Sequence, residues 1–499
     1  WGRARISEMV EDRPDWCISR QRYWGVPIPA FYCKECGDIL LTPETVEKVR
    51  QVFADRGADS WFEEEDVDVF LPEGTTCPSC GANDWEREKD IFDVWFESGA
   101  SHNSVCRQHP DLKFPLDTYL EGTDQYRGWF QVSLLESLAA WGEAPYESVL
   151  THGFVVDEKG EKMSKSLGNF LSVEDAIEEF RTDILRLWTS SVDFRDQISV
   201  DTDYIENHMV DSYRRLRNTF RYILGNLPDF DPAQHAMDYD DMEEFDQWAL
   251  DETARLVDEV TEAFEEARLH RVYGIIHNFC AVRMSSIYFD ALKDRLYCSA
   301  PDWRARRSAQ TALHHILLTL VRLVAPILVH TAEEVWSYVE HPDEDVESVH
   351  MAHWPDPDER WKNDELHERW GRLLNVRNDL LRVVEELRDA KQVSKAMEVR
   401  VAFHSEDEDL QRLLKERSEV LHEMLMVSDL SVIDERPSED DYERVADGEK
   451  EPSLALGVIA SGYEKCDRCW NLKPTVGQND EHPDLCERCV CAVEEVTAC

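Results

Sequence analysis

The 499-residue sequence predicts an α/β domain, then a bundle of α-helices, then a small C-terminal zinc module. Three observations predict this order. Residues 1–166 alternate short apolar runs with turns marked by Gly and Pro, as α/β segments do. From about residue 170 onward, apolar residues recur at helical spacing. Four Cys-x-x-Cys pairs provide ligands for metal sites.

A strand and a helix in the α/β part define a candidate ligand edge. Thr118–Gln125 predicts a strand that ends in a turn. Helical spacing follows in the apolar residues Phe130, Leu134, Leu138 and Trp141. We therefore expect an amphipathic helix packed on a sheet. Glu121, Gly122 and Asp124 then lie at the carboxyl end of the strand, where open α/β sheets bind ligands.

A second candidate strand, Ser148–Val156, leads into a charged loop. That loop contains Lys162-Met163-Ser164-Lys165-Ser166, in which two lysines stand three residues apart among small hydroxyl residues. Gly160 precedes them and favours mobility. Such a cationic arm suits triphosphate oxygens, whose charge must be offset during displacement at phosphorus. A solvated surface loop is the alternative explanation.

The cysteine pairs predict two zinc sites, because each spacing lets one tight turn aim two thiolates at a common ion. The C-terminal site has 16 residues between its pairs, within the range of structural zinc sites, and consists of Cys466, Cys469, Cys486 and Cys489. The other has 40 residues between its pairs and consists of Cys33, Cys36, Cys77 and Cys80. Gly37 and Gly81 follow the second cysteine of each pair, where a knuckle often needs a positive φ.

The helical part predicts several long elements. Leu256, Val260, Ala263, Phe264 and Ala267 form an apolar stripe, best explained by core packing. A second helix is expected over about 303–324, and another over about 366–390. Thr331 and Glu334 fit a capping box ahead of a helix that contains Val335 and Trp336. Val399–Phe403 predicts a strand.

Composition excludes several classes of protein. Hydrophobic residues make up 42% of the chain, with 16 Trp and 19 Phe, which excludes a disordered chain despite a formal charge of −50. The longest apolar run, Ile316–Val329, is interrupted by Arg322 and Pro326 and is too short to span a bilayer. No export signal is visible, so we expect a cytoplasmic protein without membrane contact. The first residue is Trp1, so we expect the sequence to begin partway through a longer protein.

Two basic clusters stand out against the acidic charge, which repels a phosphate backbone. Arg214, Arg215, Arg217 and Arg221 lie on one predicted helix. Arg304, Arg306 and Arg307 open a helix of the bundle. Each cluster is a candidate contact for a phosphate backbone or, equally, a solvated surface.

Five motifs occur in the order found in class I aminoacyl-tRNA synthetases. They are W-C-I-S-R-Q-R-Y-W-G, D-V-W-F-E-S-G, Y-L-E-G-T-D-Q-Y-R-G-W-F, L-T-H-G-F-V-V-D and K-M-S-K-S. The sequence resembles this family essentially end to end. Y-W-G-V-P-I-P, Y-L-E-G and the closing C-D-R-C-W make the resemblance closest to its bacterial isoleucine-specific branch.

The resemblance implies a domain order. Residues 1–166 would form the second half of a Rossmann-like class I synthetase catalytic domain, with a zinc-ribbon insertion at about 31–90. A stem-contact region (167–238), a helical anticodon-binding domain (239–395), a small α/β junction domain (396–460) and a C-terminal zinc finger (461–499) would follow. The bundle would recognise the anticodon stem-loop, and the zinc finger would touch RNA nearby.

The resemblance also implies a reaction in which L-isoleucine is activated by ATP and transferred to tRNA(Ile). Glu121 would contact the isoleucyl-adenylate, and Gly122, Asp124 and Gln125 would shape its pocket, with His152 as a further candidate. Lys165, helped by Lys162, would bind ATP and steady the charge at the α-phosphate. Mg²⁺ would accompany ATP, and the enzyme would be a monomer.

Some features depart from the family pattern. Thr123 and Tyr126 stand where Ser and His are usual, and Glu161 precedes the lysine loop where a basic residue is common. No H-I-G-H element or Thr-rich editing domain occurs. We therefore expect a C-terminal portion that is inactive without the preceding half. The alternatives are a non-catalytic tRNA-binding paralogue and a sister enzyme specific for valine or leucine.

Overall fold

The computed structural model describes residues 2–339, 341 and 346–494. Trp1, the first residue of the sequence, lies outside the described residues. So do residues 495–499, which end the predicted zinc finger. The chain divides into two compact units. Unit 1 comprises Trp1–Val156 and Phe194–Ile198, and unit 2 comprises Asp157–Asp193 and Ser199–Cys499. Mixed α/β structure followed by helices confirms the predicted fold class.

Unit 1 contains short strands and five helices in its described residues. Its helices are α1 (Gly2–Glu11), α2 (Pro43–Arg56), α3 (Ser60–Glu63), α4 (Val94–Gly99) and α5 (Trp129–Trp141). Its strands are β1 (Ser19–Arg20), β2 (Phe31–Cys33), β3 (Ile39–Leu40), β4 (Trp85–Arg87), β5 (Ile91–Phe92), β6 (Leu116–Gly122), β7 (Tyr146–His152) and β8 (Val155–Val156), with β9 (Ile198–Ser199) paired to β8.

The insertion is a three-stranded antiparallel sheet in the order β3-β2-β4. Its core is aromatic: the ring centroids of Phe31 and Trp61 are 5.3 Å apart, and those of Trp61 and Phe70 are 5.0 Å apart. Helix α2 begins with a capping box in which Thr42 and Thr45 exchange hydrogen bonds. So small a core needs an additional crosslink, and Cys33 and Cys77 of the cysteine cluster belong to it.

Strands β6 and β7 pair in parallel, and helix α5 connects them. The helix is the predicted one, but the predicted apolar face is wrong at its C-terminal end. Leu138 and Trp141 are each 46% exposed, whereas Ser133 and Ser137 are fully buried. The serine hydroxyls donate to backbone carbonyls, which removes the cost of burying them. Small side chains therefore form the buried face here.

Unit 2 is largely helical before its C-terminal sheet. Its helices are α6 (Val173–Phe180), α7 (Thr182–Ser191), α8 (Thr202–Tyr204), α9 (Val210–Gly225), α10 (Pro232–His235), α11 (Glu244–Glu265), α12 (Leu269–Asn278), α13 (Asp290–Cys298), α14 (Arg304–Val324), α15 (Val329–Trp336), α16 (Asp364–Asp389), α17 (Glu408–Glu416), α18 (Ser418–Leu425) and α19 (Glu487–Val493). A π-helical segment, Phe279–Phe289, joins α12 to α13.

The bundle core confirms most of the predicted helices. Leu256, Val260 and Ala263 on α11 are buried, as are most residues of α14. Ala267 of the predicted stripe lies beyond the end of α11, with a φ of 52°. At the centre, the rings of Trp248 and Trp370 stack with centroids 4.9 Å apart.

Helix α15 corrects the predicted capping box. The helix begins at Val329, so Thr331 lies inside it and Glu334 cannot form the second half of a box. Instead, Asp183 on α7 accepts hydrogen bonds from the backbone N–H groups of His330 and Thr331, at 3.2 and 2.7 Å. A carboxylate distant in sequence thus caps this helix, which short-range spacing could not reveal.

The last part of unit 2 is a four-stranded sheet in the order β11-β10-β13-β12. Its strands are β10 (Val399–Ser405), β11 (Asp429–Val432), β12 (Arg444–Asp447) and β13 (Leu454–Ala460), of which β10 confirms the predicted strand. Buried Asp379 on α16 accepts from the backbone N–H groups of Glu449, Lys450 and Glu451 at 2.9–3.2 Å. These bonds tie the sheet to the bundle.

The C-terminal cysteine module contacts helix α13. Asp294 Oδ1 accepts from Asn471 Nδ2 at 3.0 Å and from Arg488 at 2.7 Å. Arg468 donates to the carbonyl oxygen of Cys298. Among the described residues, no helix is both long and apolar enough to cross a membrane.

Candidate functional site

The carboxyl ends of β6 and β7 bring several predicted residues together. In the parallel register, Glu121 lies opposite Thr151, and Gly122 lies opposite His152. A Cβ atom on Gly122 would come within 2.8 Å of Asp124 Oδ1 and 3.5 Å of His152 Cε1. Glycine at position 122 therefore allows the carboxylate and the imidazole to approach the strand end closely.

The polar side chains at this edge differ in how firmly hydrogen bonds hold them. Gln125 is held, because its Oε1 accepts from the backbone N–H of Trp129 at 3.0 Å and its Nε2 faces Asp124 at 3.3 Å. His152 Nδ1 lies 2.8 Å from the carbonyl oxygen of Gly153. Since a carbonyl only accepts, the proton of this hydrogen bond is on Nδ1. The Glu121 side chain is exposed and makes no hydrogen bond to a described residue. The edge thus offers a carboxylate free to meet a cationic or hydroxyl ligand group.

Buried Tyr126 and Tyr119 support this edge from behind. The Tyr126 hydroxyl lies 3.1 Å from the Thr151 hydroxyl, and the Tyr119 ring stacks on Trp129 with centroids 4.0 Å apart. Tyr126, which departs from the family pattern, therefore packs inside the unit.

A buried carboxylate was missed by the sequence analysis. Glu136 on α5 packs against Gly99 at the end of α4, where a Cβ atom would collide with the carboxylate. Its Oε1 is buried with no hydrogen-bond partner among the described residues. Burial raises the pKa of Glu136 to about 8. Because Glu136 lies off the apolar stripe, its sequence position gave no signal of burial.

The lysine loop belongs to unit 2 and is braced at its base. Asp157 accepts from the backbone N–H groups of Lys159 and Glu161 at 3.0 and 2.7 Å. Asn169 Nδ2 donates to Asp157 Oδ2 at 2.9 Å, and Asn169 Oδ1 accepts from the Ser164 N–H at 2.9 Å. The Asn169 hydrogen bond is the main cause of a lowered pKa at Asp157, which keeps this brace ionised.

The two lysines themselves are exposed. Neither Lys162 nor Lys165 pairs with a carboxylate in the part of the chain that the structure describes. Lys165 Nζ lies 5.6 Å from the centre of the Phe170 ring. In a chain of charge −50, two unpaired cations on one braced loop are available for an anionic ligand.

Both cysteine clusters have the geometry of a tetrahedral zinc site. Sulfur atoms of Cys33 and Cys80 are 3.7 Å apart, and those of Cys36 and Cys77 are 3.6 Å apart. Cys469 and Cys486 are separated by 3.8 Å. Four thiolates at the usual Zn–S distance lie about 3.8 Å from one another. Within each cluster the four sulfur atoms lie within 4.8 Å of one another, so the residues present fit the ion.

The turns around the sulfurs also follow zinc-knuckle geometry. Gly37 and Gly81 have φ of 77° and 76°, as expected from the sequence, and each donates its N–H to the first cysteine of its pair at 2.8 Å. In the C-terminal cluster one pair instead begins helix α19, whose Val490 N–H donates to the Cys486 carbonyl. The thiolates of the C-terminal cluster are therefore positioned by one knuckle and by the N-terminus of one helix.

The arginine clusters differ in availability. Arg214 and Arg221 on α9 are exposed and form no ion pair with a described residue. Arg217 pairs with Glu334, both N···O distances being 2.8 Å, and Arg215 pairs with Asp211. Helix α9 therefore presents two free cations.

Two arginines of the cluster on α14 face inward, whereas Arg304 is exposed. Arg306 donates to the carbonyl oxygen of Leu296 and pairs with Asp229. Arg307 is 9% exposed and donates to the carbonyl oxygen of Asp229 and to Gln310. Arg304 donates to the carbonyl oxygen of Asp241. These contacts within the chain disfavour RNA binding by Arg306 and Arg307.

Comparison with known families gives three matches in chain order. Residues 1–201 match tRNA synthetases class I (I, L, M and V). Residues 246–403 match the anticodon-binding domain of tRNA ligase. Residues 464–490 match the zinc finger found in FPG and IleRS.

Isoleucine–tRNA ligases are among the similar sequences. The chain is 45% identical over 498 residues to that of Thermoanaerobacter sp. (strain X514), covering 100% of this chain and 53% of the relative. It is 44% identical over 490 residues to that of Caldicellulosiruptor bescii, covering 98% and 51%. For Geobacter sulfurreducens the identity is 44% over 494 residues, covering 99% and 52%. The chain thus spans about half the length of these curated relatives.

A solved structure shares the fold. The LeuRS from Agrobacterium radiobacter K84, in a ternary complex with tRNA and LeuAMS, aligns with a TM-score of 0.53 at 23% identity. The alignment covers 72% of this chain and 45% of that chain.

Proposed function

Because the chain belongs to the isoleucine–tRNA ligases of the class I aminoacyl-tRNA synthetase family, we propose that its gene product joins L-isoleucine to tRNA(Ile). ATP would first convert isoleucine into isoleucyl-adenylate with release of diphosphate. The tRNA would then accept the isoleucyl group, and AMP would leave. The observation that carries this proposal is the 45% identity over 498 residues to an isoleucine–tRNA ligase.

The edge at β6 and β7 would bind the isoleucyl-adenylate. Exposed Glu121 supplies a free carboxylate for an ammonium or ribose hydroxyl of that ligand. Gly122 leaves space at the strand end, and Asp124 and His152 border that space. Gln125 would act by holding Asp124 and the start of α5. Positioning of this kind is a major part of catalysis when no covalent enzyme intermediate forms.

The lysine loop would bind ATP. In the activation step the isoleucine carboxylate attacks the α-phosphorus, and the bond to the diphosphate leaving group breaks. Negative charge develops on the phosphoryl oxygens, and Lys165, helped by Lys162, would stabilise it. Asp157 and Asn169 would hold the base of the loop while the lysines engage the nucleotide. Mg²⁺ accompanying ATP would neutralise further phosphate charge.

The two cysteine clusters would each hold one Zn²⁺ as a structural ion. All four ligands of each cluster are protein sulfurs, which leaves no position open for a substrate. Zinc would therefore stabilise the insertion and the C-terminal finger without taking part in activation.

The match of residues 246–403 to an anticodon-binding domain supports a tRNA contact in unit 2. Exposed Arg214 and Arg221 are the cations of α9 best suited to phosphate oxygens. We propose that a monomer carries out this reaction in the cytoplasm, where bacterial tRNA is charged.

The deciding experiment is isoleucine-dependent ATP–pyrophosphate exchange by the complete gene product. Lys165→Ala should lower the exchange rate by about 10²–10³-fold, the usual cost of removing one group that stabilises developing charge. Lys159→Ala is the matched control, because Lys159 is an exposed lysine of the same loop that precedes Gly160. Its exchange rate should stay within about twofold of the parent.

Other outcomes would redirect the proposal. Equal exchange with valine or leucine would assign the chain to a sister enzyme. No exchange with any amino acid, combined with tight tRNA binding, would favour a non-catalytic tRNA-binding protein.

A further inference from the structure

A cavity of about 980 Å³ lies in unit 2, between helices α10, α11 and α14 and the segment 356–361. Its walls are largely apolar and aromatic, and they include Phe230, Met237, Met242, Leu250, Leu318 and Trp361. A volume in this range with walls of this kind is typical of sites for small molecules. The cavity therefore fits a compact ligand with an apolar body.

Helix α14 places three polar side chains on the wall of this cavity. They are His314, His315 and Thr319, and none of them has a hydrogen-bond partner among the described residues. His314 is 8% exposed and Thr319 is 4% exposed. Buried polar groups in folded proteins are almost always hydrogen-bonded, so buried groups without a partner on a cavity wall point to a ligand in the cavity.

Both imidazole rings are uncharged at neutral pH. Burial lowers the pKa of His314 to about 4, and burial also lowers the pKa of His315. A neutral imidazole keeps one ring nitrogen as a hydrogen-bond acceptor, and a threonine hydroxyl can accept as well. The wall therefore offers acceptors to the N–H groups of a ligand, and these side chains carry no positive charge that would attract an anion.

Carboxylates outnumber cations around the cavity. Four carboxylates stand against two guanidinium groups, and these residues are Asp231, Asp238, Asp356, Asp358, Arg322 and Arg360. Arg360 already pairs with Asp238 and Asp358, at N···O distances of 2.9 and 2.7 Å. Asp356 is exposed and forms no ion pair or hydrogen bond with a described residue. The lining thus has a net negative charge and a free carboxylate, which favour a positively charged ligand.

We propose that this cavity binds an organic cation, with its ammonium group at Asp356 and its apolar body against Phe230 and Trp361. His314 and Thr319 would accept hydrogen bonds from N–H groups of the ligand. Aromatic walls add cation–π attraction for an ammonium group. The inference does not depend on the proposed function, because it uses only residues of this cavity.

A bare metal ion and an anion suit the cavity less well. Within the described residues, no group of three metal-ligating side chains converges there. The apolar walls would also leave much of the hydration shell of a metal ion unreplaced. An anion would meet the excess of carboxylates without a free cation on the α14 wall.

The test is calorimetric titration of the 499-residue chain with tryptamine, which is a cation at neutral pH. Tryptophol and indole-3-propionate are the matched probes, because they carry a neutral and an anionic group on the same ring. Tryptamine should bind at one saturable site with a Kd in the low-millimolar range or tighter, as expected for a ligand of this size. Tryptophol should bind more weakly, and indole-3-propionate should not bind. Equal affinities for the three probes, or no saturable binding of tryptamine, would overturn the proposal.

Two substitutions locate the site. Ala236→Trp places an indole ring at the mouth of the cavity and should abolish binding, whereas Ala390→Trp, at an exposed alanine after α16, should not. Asp356→Asn should weaken tryptamine binding about twofold to fivefold, as expected for loss of one exposed ion pair. Asp389→Asn, at an exposed carboxylate outside the cavity, is its control. Unchanged affinity in Asp356→Asn would overturn the placement of the ammonium group, and this variant decides the matter if Ala236→Trp does not fold.

His314→Leu tests the buried acceptor. Tryptamine affinity should fall about twofold to tenfold, the usual effect of losing one hydrogen bond. The Tm should not fall, because the imidazole has no hydrogen-bond partner in the described part of the chain. Unchanged affinity with an unchanged Tm would overturn the role of His314 as a ligand contact.

Discussion

Asp183 Oδ2 accepts two hydrogen bonds from Thr331, one from its backbone N–H at 2.7 Å and one from its hydroxyl at 2.6 Å. Both residues are buried. Asp183 follows the lysine loop on α7, and Thr331 lies in the first turn of α15. Arg186, on the same helix as Asp183, donates to the carbonyl oxygens of Pro326 and Ile327. The segment after the loop is therefore attached to the bundle at a helix N-terminus.

Asp183→Ala should destabilise unit 2 by about 1–3 kcal/mol, because it leaves buried donors of Thr331 and His330 without an acceptor. Helix α15 also loses the negative charge at its N-terminus. Denaturant unfolding of the 499-residue chain measures this change. Glu179→Ala, at an exposed carboxylate of the neighbouring α6, should change stability by less than about 0.5 kcal/mol. Equal stabilities of the two variants would contradict the capping role.

Metal analysis of the purified chain should return two zinc ions per molecule. Cys77→Ser should remove one ion and Cys466→Ser the other, because each sulfur belongs to a separate group of four. Chelation should lower the Tm, since zinc binding adds free energy to the folded state. A parent chain with one zinc ion per molecule would refute the assignment, as would two variants that lose the same ion.

Glu136 should make the stability of unit 1 depend on pH with the sign opposite to that of a salt-bridged carboxylate. Burial raises its pKa to about 8, whereas an unfolded glutamate titrates near its ordinary value of 4.5. Between these values the folded state binds the proton more tightly, so stability falls as pH rises. Glu136→Gln should therefore raise the Tm at pH 8 and leave it almost unchanged at pH 4.

The difference between the parent and Glu136→Gln isolates this group from the other titrating residues. Glu143→Gln, at an exposed glutamate after the same helix, should show no such pH-dependent difference. A Glu136→Gln variant with the same Tm advantage at both pH values would show that the carboxyl group does not titrate as its burial predicts.

Arg221→Ala should weaken tRNA(Ile) binding and reduce the magnitude of the salt slope by about one, because it removes the proposed contact with one phosphate. The measurement is Kd over a range of salt concentrations. Arg306→Ala should leave that slope unchanged and instead lower stability, since it removes a part-buried hydrogen bond to the Leu296 carbonyl and the ion pair with Asp229. Arg412→Ala, at an exposed arginine paired with Asp409, is the control for both readouts. A smaller salt slope for Arg306→Ala would instead support an RNA contact by the α14 cluster.

Local patterns predicted the elements that local chemistry determines. Helices α14 and α16 and strand β6 follow from apolar spacing and turn residues, and positive φ at Gly37 and Gly81 follows from knuckle chemistry. The cysteine groups follow from spacing, because each pair closes a short turn. These features depend on residues near one another in sequence.

Features that depend on distant partners could not be predicted. The cap on α15 comes from Asp183, 148 residues away from Thr331. The buried serine face of α5 depends on hydroxyl bonds to backbone carbonyls, which hydrophobic spacing does not record. The lysine loop was predicted from its cations, but its brace joins Asp157 to Asn169 across the whole loop. The inward orientation of Arg306 and Arg307 likewise depends on a residue distant in sequence, Asp229, with which both form ion pairs.

Asp294 receives both Asn471 and Arg488, so one acidic side chain on α13 ties the bundle to the C-terminal finger. When zinc is scarce in the cell, or when oxidants attack the thiolates, Asn471 and Arg488 would lose their contacts with Asp294 together. The surface of α13 around Asp294, 177 residues before Asn471, would then be uncovered. Metal starvation is thus expected to expose cleavage sites within the bundle as well as at the tail, and to shorten the lifetime of the entire polypeptide.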